Sequence, residues 1–238
     1  MRRVSSRTAS SGARRQGSPF FVAHRAGNDL AQLRAAEGIG LDLVEADIHL
    51  FRGRLEVRHL KTLGPIPVLW DRWRLGNPFA PRLELGQLLA ATAPRTELML
   101  DLKGRNPRLA AEVLAALRPV LGSRRVIVCA RSWALLEAFE GLRGISTVHS
   151  AGNARQLRAL LRHGRGRRLQ GISAHERLLD PVIVAELKGV ADLVMTWPAN
   201  AAWRARELVA MGVDGLITDR LDLARELGSA APSLEAPA

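Results

Sequence analysis

Glu45 and Asp47 stand two residues apart in the largely apolar run LVEADIHL at 43–50. In an extended strand that spacing turns both carboxylates to one face. Val44, Ala46 and Ile48 fill the opposite face with apolar groups, so in a strand covered on both sides the acids point inward. Two ionised carboxylates held together away from water repel each other and lose hydration, a cost that a cation removes. Asp101, in the run ELMLDL at 97–102, offers a third oxygen donor, and Lys103 follows two residues later on the same face. Such a set suits one hard divalent cation, Mg²⁺ or Ca²⁺, both of which prefer oxygen ligands. A phosphate bridging that ion would also meet Lys103. His24 and His59 are the candidate proton-transfer pair, because the ordinary pKa of imidazole lies nearest neutrality.

Taken singly, each of these residues has a structural explanation. His24 could be a hydrogen-bonded strand-end histidine, the Glu45/Asp47 pair could face helices, Asp101 could be a cap and Lys103 a solvated lysine. Their combination favours chemistry. His49 is assigned to the outward, structural set. His149 and His175 end two further strands with nothing specific to select them, and His163 in HGRGRR reads as a solvated helix end. Trp70 and Trp73 belong either to the core or to the mouth of a site.

The elements that must carry these residues follow a regular alternation. β-rich apolar runs at 19–24, 43–50, 97–102, 125–129, 145–149, 169–173, 191–196 and 214–218 interleave with helical periodicity near 29–37, 84–92, 107–121, 132–140, 153–163, 180–188, 200–211 and 220–227. Ser132, Asn153 and Asp180 are plausible helix caps. Eight strand-then-helix repeats predict an α/β fold of the (β/α)8 TIM barrel type as a single domain over 19–228. The 238-residue length suits one such unit. Catalytic side chains of barrels gather at the C-terminal ends of the strands, and His24, Lys103 and their companions fall there. The irregular stretch 51–81, with an extended run at 55–59, follows the second strand and lands on the same face.

Composition narrows the function class. Hydrophobic residues make up 47% and charged residues 24%, which allows a substantial buried core. The formal charge of +12 raises nucleic acid as a partner, but five arginines (Arg2, Arg3, Arg7, Arg14, Arg15) stand in 1–18 without an acid, which argues against a basic face on the folded part. Residues 1–18 read as a disordered basic arm and 229–238 as a disordered tail. The arm lacks the apolar core of a secretory signal, charges interrupt every run long enough to span a membrane, and Cys129 is the only cysteine. These features together predict a cytoplasmic protein without a disulfide or a transmembrane segment.

The ordered set of motifs resembles the glycerophosphodiester phosphodiesterase family. The pattern reads AHR at 23–25, EAD at 45–47, His59, DLK at 101–103, TWPAN at 196–200 and GVDGLITD at 212–219, and spans residues 19–220. The resemblance implies a lipid-metabolic hydrolase that splits glycerophosphodiesters into glycerol 3-phosphate and an alcohol. By the same resemblance Glu45, Asp47 and Asp101 hold the metal, His24 and His59 serve as acid and base, Arg25 and Lys103 bind the phosphate, and Trp197 lines the alcohol side. The implied partner is a small phosphodiester or a lysophospholipid. The chain departs from the pattern in its HRAGNDLAQL loop, in Leu60 and Lys61 after the second histidine, and in Asp101 where a glutamate is usual. Two rivals accompany this reading: a phospholipase D-like lyase releasing a cyclic phosphate, and a non-catalytic barrel binding nucleic acid or anionic lipid.

Overall fold

A computed structural model of the chain describes residues 19–41, 43–63, 66–71, 74–76 and 81–228. In chain order its strands are β1 (Phe20–Ala23), β2 (Leu43–Phe51), β3 (Arg54–Val57), β4 (Lys61–Leu63), β5 (Ile66–Asp71), β6 (Arg74–Gly76), β7 (Glu97–Lys103), β8 (Val126–Ala130), β9 (Ile145–Ala151), β10 (Leu169–His175), β11 (Ala191–Trp197) and β12 (Gly215–Thr218). Eight of them run parallel in the order β1-β12-β11-β10-β9-β8-β7-β2, and the pairing of β1 with β2 closes the ring. The predicted (β/α)8 TIM barrel is therefore the fold. Closure leaves no free edge among the eight parallel strands.

The period of two along each strand builds two cores. Inward-facing Val22, Leu43, Met99, Ile127, Cys129, Val148, Met195 and Ile217 pack into one cluster inside the ring. The alternate residues, among them Val44, Ala46, Leu100, Ile172 and Val194, pack outward against the helices. These helices are α1 (Leu30–Gly38), α2 (Leu85–Ala91), α3 (Pro107–Leu117), α4 (Ala154–His163), α5 (Pro181–Val190), α6 (Ala202–Ala210) and α7 (Leu223–Gly228). Asn153 and Asp180 cap α4 and α5 as expected, each accepting from a backbone N–H of the first turn.

Two helical expectations are corrected. The helix expected at 132–140 is a pair of 3₁₀ turns, Trp133–Leu135 and Glu137–Phe139, and the Ser132 side chain caps neither. Tertiary ties outweigh periodicity there: the Trp133 indole donates to the Ser150 carbonyl at 3.1 Å, and Phe139 is completely buried. The helix begun at Pro107 ends at Leu117 rather than 121, because Pro119 has no N–H with which to extend it. The arm expected at 1–18, the tail expected at 229–238 and Trp73 lie outside the described residues. Trp70 is described only as part of the backbone of β5. No helix of the described residues is long and apolar enough to cross a membrane.

Beyond the barrel rim β2 continues into an antiparallel hairpin with β3, registered as Ile48 to Val57 and Phe51 to Arg54. Arg52 and Gly53 make the turn with φ of 49° and 79°. At the other side of the site, the 3₁₀ turn Ala26–Asn28 lies flat on β2. Gly27 is required for that approach, since a Cβ there would stand 2.7 Å from Ala46 Cβ and 3.0 Å from the Glu45 carbonyl oxygen. Neither neighbour can swing away. Gly27→Ala is expected to destabilise the fold by about 1–3 kcal/mol, the usual cost of overpacking, read as a lowered urea midpoint at unchanged slope.

Candidate active site

The inner faces of the strands open at their C-terminal ends into a cavity of about 810 Å³, and every one of the eight predicted site residues lines it: His24, Arg25, Glu45, Asp47, His59, Asp101, Lys103 and Trp197. Glu45 and Asp47 project from β2 and are 3% and 1% exposed. β7 runs beside β2 in register, Asp47 against Asp101 and His49 against Lys103, so the two strands present their acids at the same level. One carboxylate oxygen from each of Glu45, Asp47 and Asp101 lies within 4.8 Å of the others.

Electrostatics shows what this crowding costs. Burial, together with the charge of Asp47, pushes the Glu45 carboxyl well above the usual carboxylate range. Burial acts on Asp47 in the same direction but is overcome by hydrogen bonds from His59, Lys103 and Asn28, which hold it ionised and well below that range. His59 Nδ1 is 3.2 Å from Asp47 Oδ2, Lys103 Nζ is 2.6 Å from Asp47 Oδ1, and Asn28 Nδ2 donates to Asp47 Oδ2 at 2.7 Å. Lys103 also pairs with Asp101. Burial would depress its ammonium, yet the charges of Asp101, Asp47 and Glu45 raise it above the ordinary lysine value. Three acids face one lysine and the more distant guanidinium of Arg25, and Asp101 Oδ1 is buried without a hydrogen-bond partner among the described residues. An oxygen-rich, under-neutralised set of this kind fits a hard divalent cation.

The flanking residues are held by specific local structure. Arg25 occupies the left-handed region at φ 56°, which costs a non-glycine residue about 1–2 kcal/mol, and its backbone N–H donates to Glu45 Oε2 at 2.6 Å. Its Nε lies 3.9 Å from Asp47 Oδ2. His24 directly follows β1, and its Nδ1 is 2.7 Å from Asp219 Oδ1. Asp219 is itself gripped by Asn200, whose Nδ2 donates to Asp219 Oδ2 at 2.7 Å and whose Oδ1 accepts from the Asp219 N–H at 2.9 Å. The hydrogen bond from His24, with one from Asn200, holds the Asp219 carboxyl down at about 2. His59 stands beyond β3, next to Arg58, whose N–H bonds the Asp47 carbonyl at 2.9 Å and whose guanidinium, with that of Arg82, grips the buried Glu56.

Several residues that line the cavity or support its side chains lie outside the sequence expectations. His49 does not face outward; it shares the parity of Glu45 and Asp47 and lines the cavity, with burial and the nearby Arg58 pushing its imidazole down to about 3. The alternation of β2 already places it there. Asn28, Asp219 and Asn200 act through contacts 19 to 195 residues apart in the chain, which no local pattern encodes, although Asn200 and Asp219 fall inside the TWPAN and GVDGLITD motifs. Arg131 and Ser173 also reach the cavity. His149 points away from it, into a cluster with Trp133 and His163 behind the barrel wall, while His175 packs edge-on against Trp197 at the rim.

No protein-family model and no curated protein sequence matches this chain. Solved structures do. The Oleispira antarctica phosphodiesterase in complex with the product sn-glycerol-3-phosphate superposes with a TM-score of 0.69 at 19% identity, covering 90% of this chain and 98% of the other. The glycerophosphodiester phosphodiesterase of Thermotoga maritima gives 0.69 at 18% identity over 88% and 98%, and that of Parabacteroides distasonis gives 0.68 at 19% over 91% and 99%. The chain shares the barrel fold of glycerophosphodiester phosphodiesterases across its described length, at a distance where sequence similarity has largely gone.

If the acids repel as the geometry indicates, neutralising one relieves the protein while spoiling its hold on a cation. Glu45→Gln is expected to leave the chelator-treated protein at least as stable as the parent, and to weaken Mg²⁺ or Ca²⁺ binding by more than about tenfold. Thermal melts with and without divalent cation, together with calorimetric titration, measure both.

Proposed function

We propose that this protein belongs functionally with the glycerophosphodiester phosphodiesterases and hydrolyses glycerophosphodiesters to glycerol 3-phosphate and an alcohol. One observation carries the reading: three carboxylates, a lysine and two independently anchored imidazoles line a single cavity at the C-terminal end of the barrel. The likeness to a phosphodiesterase solved with sn-glycerol-3-phosphate supports it. Glu45, Asp47 and Asp101 are the residues to hold one divalent cation, Mg²⁺ or Ca²⁺. When bound, such a cation neutralises the buried acids and polarises a phosphoryl oxygen.

The chain's own groups have separable tasks. Lys103 and Arg25 bring positive charge to the phosphoryl oxygens as negative charge builds on them. His24 has Nδ1 committed to Asp219, which leaves Nε2 for proton transfer into the cavity. His59 is oriented by Asp47 and stands apart from His24 on its own support. One imidazole takes the proton of the substrate's own glycerol hydroxyl as it attacks phosphorus, while the other gives a proton to the departing alcohol. Water then opens the resulting cyclic phosphate with the two roles exchanged, leaving the monoester, a division that needs two bases at two positions. Trp197 offers an apolar wall on the alcohol side.

Glycerophosphodiesters should be turned over with Mg²⁺ or Ca²⁺ present and spared in chelator. His24→Ala and His59→Ala should each lower kcat by about 10²–10⁴-fold, and Asp219→Asn should lower kcat while divalent-cation binding persists. Phosphorus NMR of the product decides between a monoester, as proposed, and a persistent cyclic phosphate, which would make the protein a lyase. Undiminished turnover in His24→Ala would remove that residue from the mechanism.

A further inference from the structure

The cavity wall formed by β8, β9 and β10 carries polar groups that the proposed hydrolysis does not use. The pairing of Ala130 with His149 sets Arg131 beside Ser150, and Ser150 pairs in turn with Ser173 on β10. The Ser173 hydroxyl is buried and has no hydrogen-bond partner among the described residues. A buried orphan of this kind, in the wall of an open cavity, is satisfied when a ligand oxygen arrives.

Arg131 is positioned with equal care. Its guanidinium lies over the Trp197 ring, 4.8 Å from the centroid. Gly152 makes room for it, since a Cβ at that position would stand 3.2 Å from Arg131 Cζ. His175 meets the same indole edge-on at 4.9 Å. Among the described residues no carboxylate pairs with Arg131, so its charge is left to act on whatever enters. A bare indole at this place would attract a quaternary ammonium group through the ring face. Here the chain's own cation occupies that face. A choline headgroup would have to displace it and would meet a like charge, whereas a carboxylate or phosphate would meet a guanidinium fork already held in place over the ring.

We infer that Arg131, stacked on Trp197 and assisted by the Ser173 hydroxyl, forms a second anion subsite that selects glycerophosphodiesters whose alcohol carries a negative group. This specificity rests on the hydrolase reading above, but the subsite can be measured without turnover.

Rates on glycerophosphocholine, glycerophosphoglycerol and the glycerophosphodiester of glycolate, with Mg²⁺ or Ca²⁺ supplied, make the first test. The glycolate ester should exceed the choline ester in kcat/KM by about tenfold or more. Arg131→Gln should abolish most of that preference, chiefly through KM, while Arg131→Lys, which keeps the charge, should retain part of it. A parent protein that shows no preference or favours choline, or an Arg131→Gln variant whose ratio is unchanged, overturns the subsite and leaves hydrolysis standing. Failure to cleave any of the three defeats the hydrolase reading instead. Calorimetric titration with 1,3-propanediol bisphosphate against propyl phosphate then decides the subsite alone. The bisphosphate should bind about tenfold more tightly, an advantage lost in Arg131→Gln; equal binding of the two probes, or an advantage that survives the substitution, overturns it.

Discussion

Mutual repulsion among Glu45, Asp47 and Asp101, inside a ring otherwise packed with Val, Leu, Met and Ile side chains, is the constraint around which the rest of the molecule is organised. Ionised acids in such surroundings persist only if something nearby meets their charge. Lys103, His59 and Asn28 do so for Asp47, and the strained backbone of Arg25 gives its N–H to Glu45. Even so, among the described residues one oxygen of Asp101 has no hydrogen-bond partner. The mouth of the barrel thus presents an oxygen-rich set with more acids than cations, an arrangement that suits a hard cation.

Much of this was legible in the sequence, for definite reasons. Barrel strands alternate between an inner and an outer core, so a break in apolar character on one face, as at Glu45 and Asp47, marks the point where the inner core gives way to a site. All eight parallel strands expected from their apolar runs are found. One departure arises where local pattern and tertiary contact disagree. Residues 132–140 have a helical distribution of apolar groups but are pulled into two tight turns by the indole of Trp133 and the burial of Phe139. His49 was misplaced although its parity with Asp47 put it on the inner face. Asp219, Asn28 and Arg131 could not be assigned tasks in advance, because each is defined by a partner on a distant strand or turn.

The two imidazoles illustrate how one function can rest on unlike supports. His24 is anchored through Asp219 and Asn200 at the seam where β1, the first strand, pairs with β12, the last. Its placement depends on that pairing. His59 depends on β3, which pairs with the end of β2 in the hairpin beyond the rim, and on the Glu56, Arg58 and Arg82 cluster, all of which lie outside the ring of parallel strands.

That hairpin has a further property. The Val57 N–H bonds the Leu83 carbonyl at 2.8 Å, and Glu56 bridges Glu84, so the chain leaves the barrel and returns to it at nearly the same point. A segment whose ends are already tied can gain or lose residues at little entropic expense, so a change of length between His59 and Arg82 leaves the register of the parallel strands as it is.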